Sequence, residues 1–346
     1  MTLMEKEIFE VPEALKTCFK TNEKTLNELA EKLASRKIKN VVVAARGTSD
    51  HAGIYGKYII ESLIGVPVSL AAMSVVTRYG AELDLSDSVV LAISQSGKAA
   101  DVIEYVEMAK KSGAITVTIT NNNESPLALI GDYNFFLNVG EEKSVAATKT
   151  FSAQLYTIAH IVAMWADRKD LLAKLEKVPE KICQILLRNE EVAALAVRYR
   201  FMKDAFILSR GINYPLALEA ALKVQETNYV LAKAYPISDF HHGPFAMVDE
   251  GMPVIMYMPA GPVAQDSMEM IKKLQAVGAD LLMVTDDENL LAEGDVGFQI
   301  PFAEKEDMIS AFYYATFAQL FACNLAEVKG RNPDAPRGLN KVTITK

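Results

Sequence analysis

Three short stretches of the 346-residue chain hold side chains of the right type and spacing for chemistry. The first is Ser94-Gln95-Ser96-Gly97, which follows an apolar run at 89–93 and precedes a helical pattern that ends near Ser112. Hydroxyls and backbone N–H groups at the carboxyl end of a buried strand, beside a helix N-terminus, make an anion site, and a phosphate fits it. The same residue types also serve as plain turn formers and caps. The second stretch holds Glu219, Lys223 and Glu226, which the i, i+4, i+7 spacing places on one helix face. Their apolar neighbours in L-A-L-E-A-A-L-K-V-Q-E predict burial rather than a solvated stripe of ion pairs, and a buried carboxylate needs a partner or a task. The third is the turn His241-His242-Gly243-Pro244. Adjacent histidines point in different directions and no nearby cysteine or carboxylate has ligand spacing, so no metal is expected there.

The elements that must position these groups read as an alternation of strands and helices. A helical lead-in runs from Val11 to Ser35, with Pro12 in its first turn and Leu26, Leu29 and Leu33 at helical spacing. Strands follow at 40–45, 68–71, 89–93, 114–120 and 133–139, with helices at 51–63 and 151–165. The loop Arg46-Gly47-Thr48-Ser49-Asp50 lies between the first strand and its helix. Such alternation predicts parallel βαβ units. Residues 170–199 are charged and helical without a strand pattern and read as a connector.

The pattern then begins again. Arg210-Gly211 stands 164 residues after Arg46-Gly47, Gly261 stands 164 after Gly97, and Thr285 stands 165 after Thr120. A nearly constant offset indicates an internal duplication. The copies differ where an anion would bind, because Met258-Pro259-Ala260-Gly261 has no hydroxyl and Pro259 removes an N–H. Only the first half is expected to hold a phosphate.

A formal charge of −8 argues against a nucleic-acid surface or an anionic membrane as partner. Half the residues are hydrophobic and 23% charged, as in globular proteins. Cys18, Cys183 and Cys323 are odd in number and far apart, which suggests neither a disulfide framework nor a metal motif and fits a reducing cytoplasm. Charges break up the first six residues, so no targeting segment is expected there. The longest apolar helical run, 155–165, contains His160 and reads as a buried core helix rather than a membrane span. A soluble cytoplasmic protein is expected.

Taken together, R-G-T-S, I-S-Q-S-G, S-V-A-A-T-K-T-F at 144–151, A-L-E-A-A-L-K-V-Q-E, F-H-H-G-P and the tail P-R-G-L-N-K-V-T-I-T resemble tandem sugar isomerase (SIS) domain proteins. The likeness covers Lys39 onward and is to the isomerase half of glucosamine-6-phosphate synthases and to SIS-type glucosamine-6-phosphate deaminases. It implies an α/β chain of two flavodoxin-like SIS domains at 39–168 and 201–328. Around these lie the lead-in at 1–38, the connector at 169–200 and a tail at 329–346 that returns to the active site. It also implies a homodimer with a shared site, a 6-phosphosugar ligand and no cofactor.

Carried over by residue, the resemblance puts the phosphate at Ser49, Ser94, Gln95 and Ser96, with Gly47 and Thr48 in the R-G-T-S loop. Glu226 resembles the carboxylate that moves a proton between C1 and C2, and His242 the histidine that opens the sugar ring from across the dimer interface. Lys341 resembles the tail lysine that engages the open-chain carbonyl, with Lys223 and Glu219 supporting. Without the resemblance, Lys341 would read as a frayed tail residue, and Thr148 and Lys149 as a helix cap and an exposed charge.

The chain also departs from the family. Gly97-Lys98-Ala99 replaces the usual G-E-T, so Lys98 offers the phosphate a charge where a threonine hydroxyl is missing. Ala147 replaces a serine, and His241 and Lys233 replace residues of different charge type. Thr2 follows Met1 where the synthase has a nucleophilic cysteine, so no glutamine hydrolysis is expected within this sequence. The expected activity is isomerisation and deamination of an amino-sugar 6-phosphate to a ketose 6-phosphate and ammonia. The alternatives are an isomerase subunit without its glutaminase, a plain phosphosugar isomerase, a fructosamine-6-phosphate deglycase and, outside catalysis, a phosphosugar sensor.

Overall fold

A computed structural model of the chain describes residues 1–261 and 264–341. The backbone gathers into two compact units. The first holds Glu10–Glu142, Ala147–Pro179 and, of the tail, 340–341; the second holds Met1–Phe9, Lys143–Ala146 and Glu180–Leu339. Of the tail expected at 329–346, residues 342–346 lie outside the described residues.

The chain opens with α1 (Leu3–Phe9), ahead of the helical pattern read from Val11, and α2 (Val11–Ala34). The first sheet then forms from β1 (Asn40–Ala44), β2 (Val68–Leu70), β3 (Ser88–Ile93), β4 (Ile115–Thr120) and β5 (Tyr133–Phe136). All pairs are parallel and the order is β2-β1-β3-β4-β5. β3 and β4 are buried along their whole length, as continuous apolar or β-branched strands covered on both faces should be. The crossovers are α3 (Thr48–Leu63), α4 (Met73–Thr77), α5 (Ala100–Lys111) and α6 (Pro126–Ile130), and the unit continues into α7 (Lys149–Trp165) and α8 (Lys169–Leu175). Val102, Tyr105 and Val106 of α5 pack with Val42, Val90 and Ala92 on one face of the sheet. Gly53 lets α3 approach β1, because a Cβ there would stand 2.3 Å from Val43 Cγ1.

The second unit uses the rest of α9 (Val178–Leu186), then α10 (Asn189–Arg198), β6 (Asp204–Ser209), α11 (Tyr214–Asn228) and β7 (Leu231–Pro236). After these come α12 (Ile237–Phe240), β8 (Pro253–Met258), α13 (Ala264–Ala276), β9 (Asp280–Thr285), α14 (Glu288–Leu291), β10 (Val296–Gln299) and α15 (Asp307–Val328). Its sheet runs β10-β9-β8-β6-β7, again all parallel. Counted within its own unit, each sheet therefore has the order 2-1-3-4-5 of flavodoxin-like folds. Strands β6, β8 and β9 stand where the sequence offset placed them, which makes the duplication one of topology as well as pattern.

In both sheets the strand order reverses between the first and third strands, and the crevice outside their carboxyl ends is the ligand position for such folds. The loops after β1 and β3 border it in the first unit, and those after β6 and β8 in the second.

The helix α7 is apolar almost all round and buried along nearly its whole length, as such helices must be. Its His160 lies between Phe19 and Tyr156, with ring centroids 4.6 and 4.3 Å away. His160 Nδ1 is 2.8 Å from Tyr156 O, and a carbonyl only accepts, so Nδ1 carries the proton. Burial pushes this imidazole down to about 4, against the opposing effect of that hydrogen bond. A group whose value is depressed by folding stabilises the protein fully above its unfolded value and ceases to do so as the pH falls through its folded one. Stability of the first unit should therefore fall by roughly 3 kcal/mol between pH 6.5 and about 4 on account of His160. Denaturant titrations at several pH values should show that slope in the wild type and a flatter one in His160→Leu.

Candidate active site

Sequence and strand order converge on the loops after β1 and β3. Gly47 has φ +54°, and α3 starts directly after it, at Thr48. Ser49 is buried in the first turn of α3, and its Oγ accepts from Gln154 Nε2 of α7 at 3.0 Å. In the second loop, Ser94 Oγ accepts from Gly97 N at 3.2 Å and Ser96 Oγ from Lys98 N at 3.3 Å. The amides of Gln95 and Ser96 donate to no other group among the described residues, which leaves them for an anion. Gly97 has φ +65°, and a Cβ there would meet Ser125 Oγ at 1.9 Å, so only glycine closes this turn. Arg46 was not singled out from the sequence, yet its Nε and Nη2 bond Asp101 Oδ2 at 2.9 and 2.7 Å and join the first loop to the start of α5.

The loop after β3, but not Gly47, Ser49 or Ser94, lines a cavity of about 450 Å³ within the first unit. Gln95, Ser96 and Lys98 line one part of it, Asn121 and Asn122 beyond β4 another, and Gly140, Glu141, Glu142 and Lys341 the rest. Lys341 is therefore not frayed. Its Nζ lies 2.6 Å from Glu142 Oε2. Glu142 is buried, and its Oε1 accepts the amides of Thr148 and Thr150 at 2.9 and 3.0 Å. Burial pushes this carboxyl up, but the charge and hydrogen bond of Lys341 and the α7 amides outweigh it and hold the group below its ordinary 4.5.

The expectations for Thr148 and Lys149 are corrected here. The Thr148 side chain makes no capping hydrogen bond, since Glu142 occupies the helix start instead. Lys149 is buried and pairs with Glu10 at 2.7 Å. Neither Glu142 nor Glu10 carried a sequence signal beyond being acidic. A larger cavity of about 590 Å³, between Gly80–Asp84 and α5, faces the amino ends of the strands and carries Glu82, Glu104 and Glu107, which suits no phosphate.

In the second unit, Lys223 Nζ lies 3.3 Å from Glu219 Oε1 and 2.6 Å from Glu226 Oε2. Glu219 and Lys223 are buried, and the Glu226 side chain keeps 21% of its surface exposed. Burial pushes the Lys223 ammonium down, but its two carboxylates hold it above 10.5. Glu226 is thus the member of the triad open to a ligand. His242 is exposed on the turn after α12, where its amide donates to Asp239 O at 3.0 Å. No hydrogen bond or ion pair among the described residues joins the His242 side chain to the triad. His241 Nδ1 faces Lys273 Nζ at 3.4 Å. Lys233 lies exposed on β7.

The second unit's copy of the anion loop is closed. Asp286 Oδ1 accepts the Ala260 amide at 2.6 Å and its Oδ2 accepts that of Glu304 at 3.0 Å, so an internal carboxylate takes the donors. Burial, Asp286 and Glu306 raise Asp307 beside this loop to about 6. A phosphate would meet like charge here.

Both halves of this arrangement match one family. The model for the SIS domain covers residues 33–164 and 200–329. The chain belongs to the SIS domain family. It is 38% identical over 346 residues to a glutamine–fructose-6-phosphate aminotransferase (isomerizing) of Aquifex aeolicus, covering 99% of this chain and 57% of that protein. The chain thus spans little more than half the length of that relative. Among solved structures, the C-terminal domain of a glucosamine-fructose-6-phosphate aminotransferase from Francisella tularensis superposes with a TM-score of 0.86 at 28% identity, over 97% of this chain and 98% of the other. A glucosamine-6-phosphate deaminase from Thermotoga maritima shares the fold at a TM-score of 0.79 and 22% identity, covering 99% and 100%. Among the described residues no cluster of three or more His, Cys, Asp or Glu could hold a metal, and no helix is long and apolar enough to cross a membrane.

Two substitutions test the geometry. Gly97→Ala should lower stability by about 1–3 kcal/mol in denaturant titrations and weaken inorganic phosphate binding, because the turn must open to clear Ser125. Lys223→Met should cost roughly 3–5 kcal/mol, since it leaves the buried Glu219 without its cation.

Proposed function

We propose that the chain interconverts a ketose 6-phosphate and an amino-aldose 6-phosphate, with ammonia as the nitrogen carrier. Fructose 6-phosphate and ammonia on one side balance glucosamine 6-phosphate and water on the other. The observation that carries this reading is Lys341, which Glu142 holds in the cavity beside the Gln95–Ser96 amides, an amine next to an anion loop. A distance of one sugar between phosphate and carbonyl needs such a pairing.

The phosphate binds Ser49, Ser94, Gln95 and Ser96, with Gly47 and Thr48 shaping the first loop and Lys98 adding charge. This remote anchoring orients the reacting carbons. His242, in the family reading supplied across a homodimer interface, passes a proton between ring oxygen and anomeric hydroxyl. Lys341 then condenses with the open-chain carbonyl, and Glu226 carries a proton between C1 and C2. Lys223 and Glu219 hold the Glu226 carboxylate in place for this step. The similarity to an aminotransferase at 38% identity supports the nitrogen step, and the same reaction run backward is a deamination, so one reversible reaction is proposed.

The test uses the full chain with fructose 6-phosphate and ammonium, and separately with glucosamine 6-phosphate. Glucosamine 6-phosphate in the first case or ammonia in the second is expected. Interconversion of glucose and fructose 6-phosphates without any nitrogen step would overturn the reading in favour of a plain isomerase, and a raised melting temperature without turnover would favour a sensor. Glu226→Gln should lower turnover by roughly 10²–10⁴-fold, the usual worth of a general base, while the melting-temperature rise with fructose 6-phosphate persists.

A further inference from the structure

Glu142 has one more partner than a helix cap needs. Its Oε1 takes the Thr148 and Thr150 amides, and its Oε2 takes Thr150 Oγ1 at 2.8 Å, which already satisfies a buried carboxylate at a helix N-terminus. Thr148 Oγ1 adds a longer contact to Oε1 at 3.4 Å, and the remaining partner is the ammonium of Lys341, 199 positions away in sequence. That ammonium is not sealed in: the Lys341 side chain is 23% exposed, whereas the Glu142 side chain is 0% exposed. Carboxylate behind and amine in front, the pair forms one wall of the cavity that Gln95 and Ser96 also line.

From this geometry we infer that Glu142 is the positioning residue and standing counter-ion of Lys341. It holds Nζ at the cavity wall before the reaction and balances the iminium charge during it. The inference rests on the imine reading given above. In that step a lysine ammonium and a sugar carbonyl give an iminium and one water. The C=O bond is broken and C=N formed, and two of the three N–H protons leave with the oxygen. One positive charge sits on nitrogen at both ends of the step, so a fixed anion beside it serves throughout without moving a proton.

The surroundings keep Glu142 ionised for this use. The α7 N-terminus adds its dipole to the two amide hydrogen bonds. Lys341 and Lys98 face the carboxylate's side of the cavity, Glu141 adjoins it, and Lys149, paired with Glu10, stands behind Gly140. Replacing Glu142 removes the anion while the Gln95–Ser96 loop keeps its phosphate donors.

The full chain is incubated with fructose 6-phosphate and sodium borohydride, and the reduced adduct on Lys341 is quantified by peptide mass spectrometry. Wild type should give the adduct. Glu142→Gln should lower the yield roughly tenfold or more, the usual cost of a misplaced reacting group, with the fructose 6-phosphate melting shift retained and Glu142→Asp recovering part of the yield. A lower melting temperature with an unchanged adduct yield would overturn the counter-ion role and leave Glu142 a cap. No adduct in wild type would overturn the imine reading and this role with it. Should the variants fail to fold, wild type alone decides. Acetic anhydride should label Lys341, whose Nζ is held by Glu142 and mostly covered, more slowly than the exposed Lys98, and equal rates would overturn the pairing.

Discussion

A buried carboxylate is among the most costly groups a fold can hold unless its charge is met by donors on every side. Glu142 is met by the amides and hydroxyls of Thr148 and Thr150 at the start of α7 and by the Lys341 ammonium. Each partner fixes something different. The amides set the direction in which α7 enters the core, and α7 in turn presents Gln154 to Ser49 in the first anion loop. The ammonium brings the end of the described chain to the cavity. One charge therefore couples the central helix, the serine loops and the tail lysine, and changes to it should be felt at all three.

The two copies of the fold show how little is needed to divide labour after a duplication. Both keep the 2-1-3-4-5 strand order and the crevice it creates. In the first, Gln95 and Ser96 leave their amides open. In the second, Pro259 removes one N–H and Asp286 takes the next, so the crevice already holds an anion. The second unit instead invests in α11, whose Glu219, Lys223 and Glu226 form a buried ion-paired set.

Much of this was legible in the sequence because it rests on local pattern. A continuous apolar run gave β3, the near-constant repeat offset pointed to β6, β8 and β9, and the i, i+4, i+7 spacing gave the α11 triad. What escaped depends on partners remote in sequence. Glu142, Glu10 and Arg46 look like ordinary surface charges until the fold sets them against Lys341, Lys149 and Asp101. For the same reason Lys149 read as exposed. β7 and β10 were missed for a local reason: β10 is only four residues long, and β7 carries Lys233 and ends in Pro236, so neither shows the apolar run of a central strand. Edge strands are where such departures are tolerated.

Lys223 and Lys341 differ in how their carboxylates hold them, and the imine step proposed above needs the second arrangement. Lys223 is fully enclosed, touches two carboxylates and is held above its ordinary value, so its ammonium is locked and its nitrogen has no path to a carbonyl. Lys341 touches one carboxylate that is itself saturated by helix amides, and part of its surface opens on the cavity. A carboxylate already sharing its charge with two N–H groups and a hydroxyl binds an ammonium less tightly than a free one does. The same helix N-terminus that keeps Glu142 ionised thus also weakens its hold on Lys341, and the amine can turn toward a substrate without leaving its counter-ion behind.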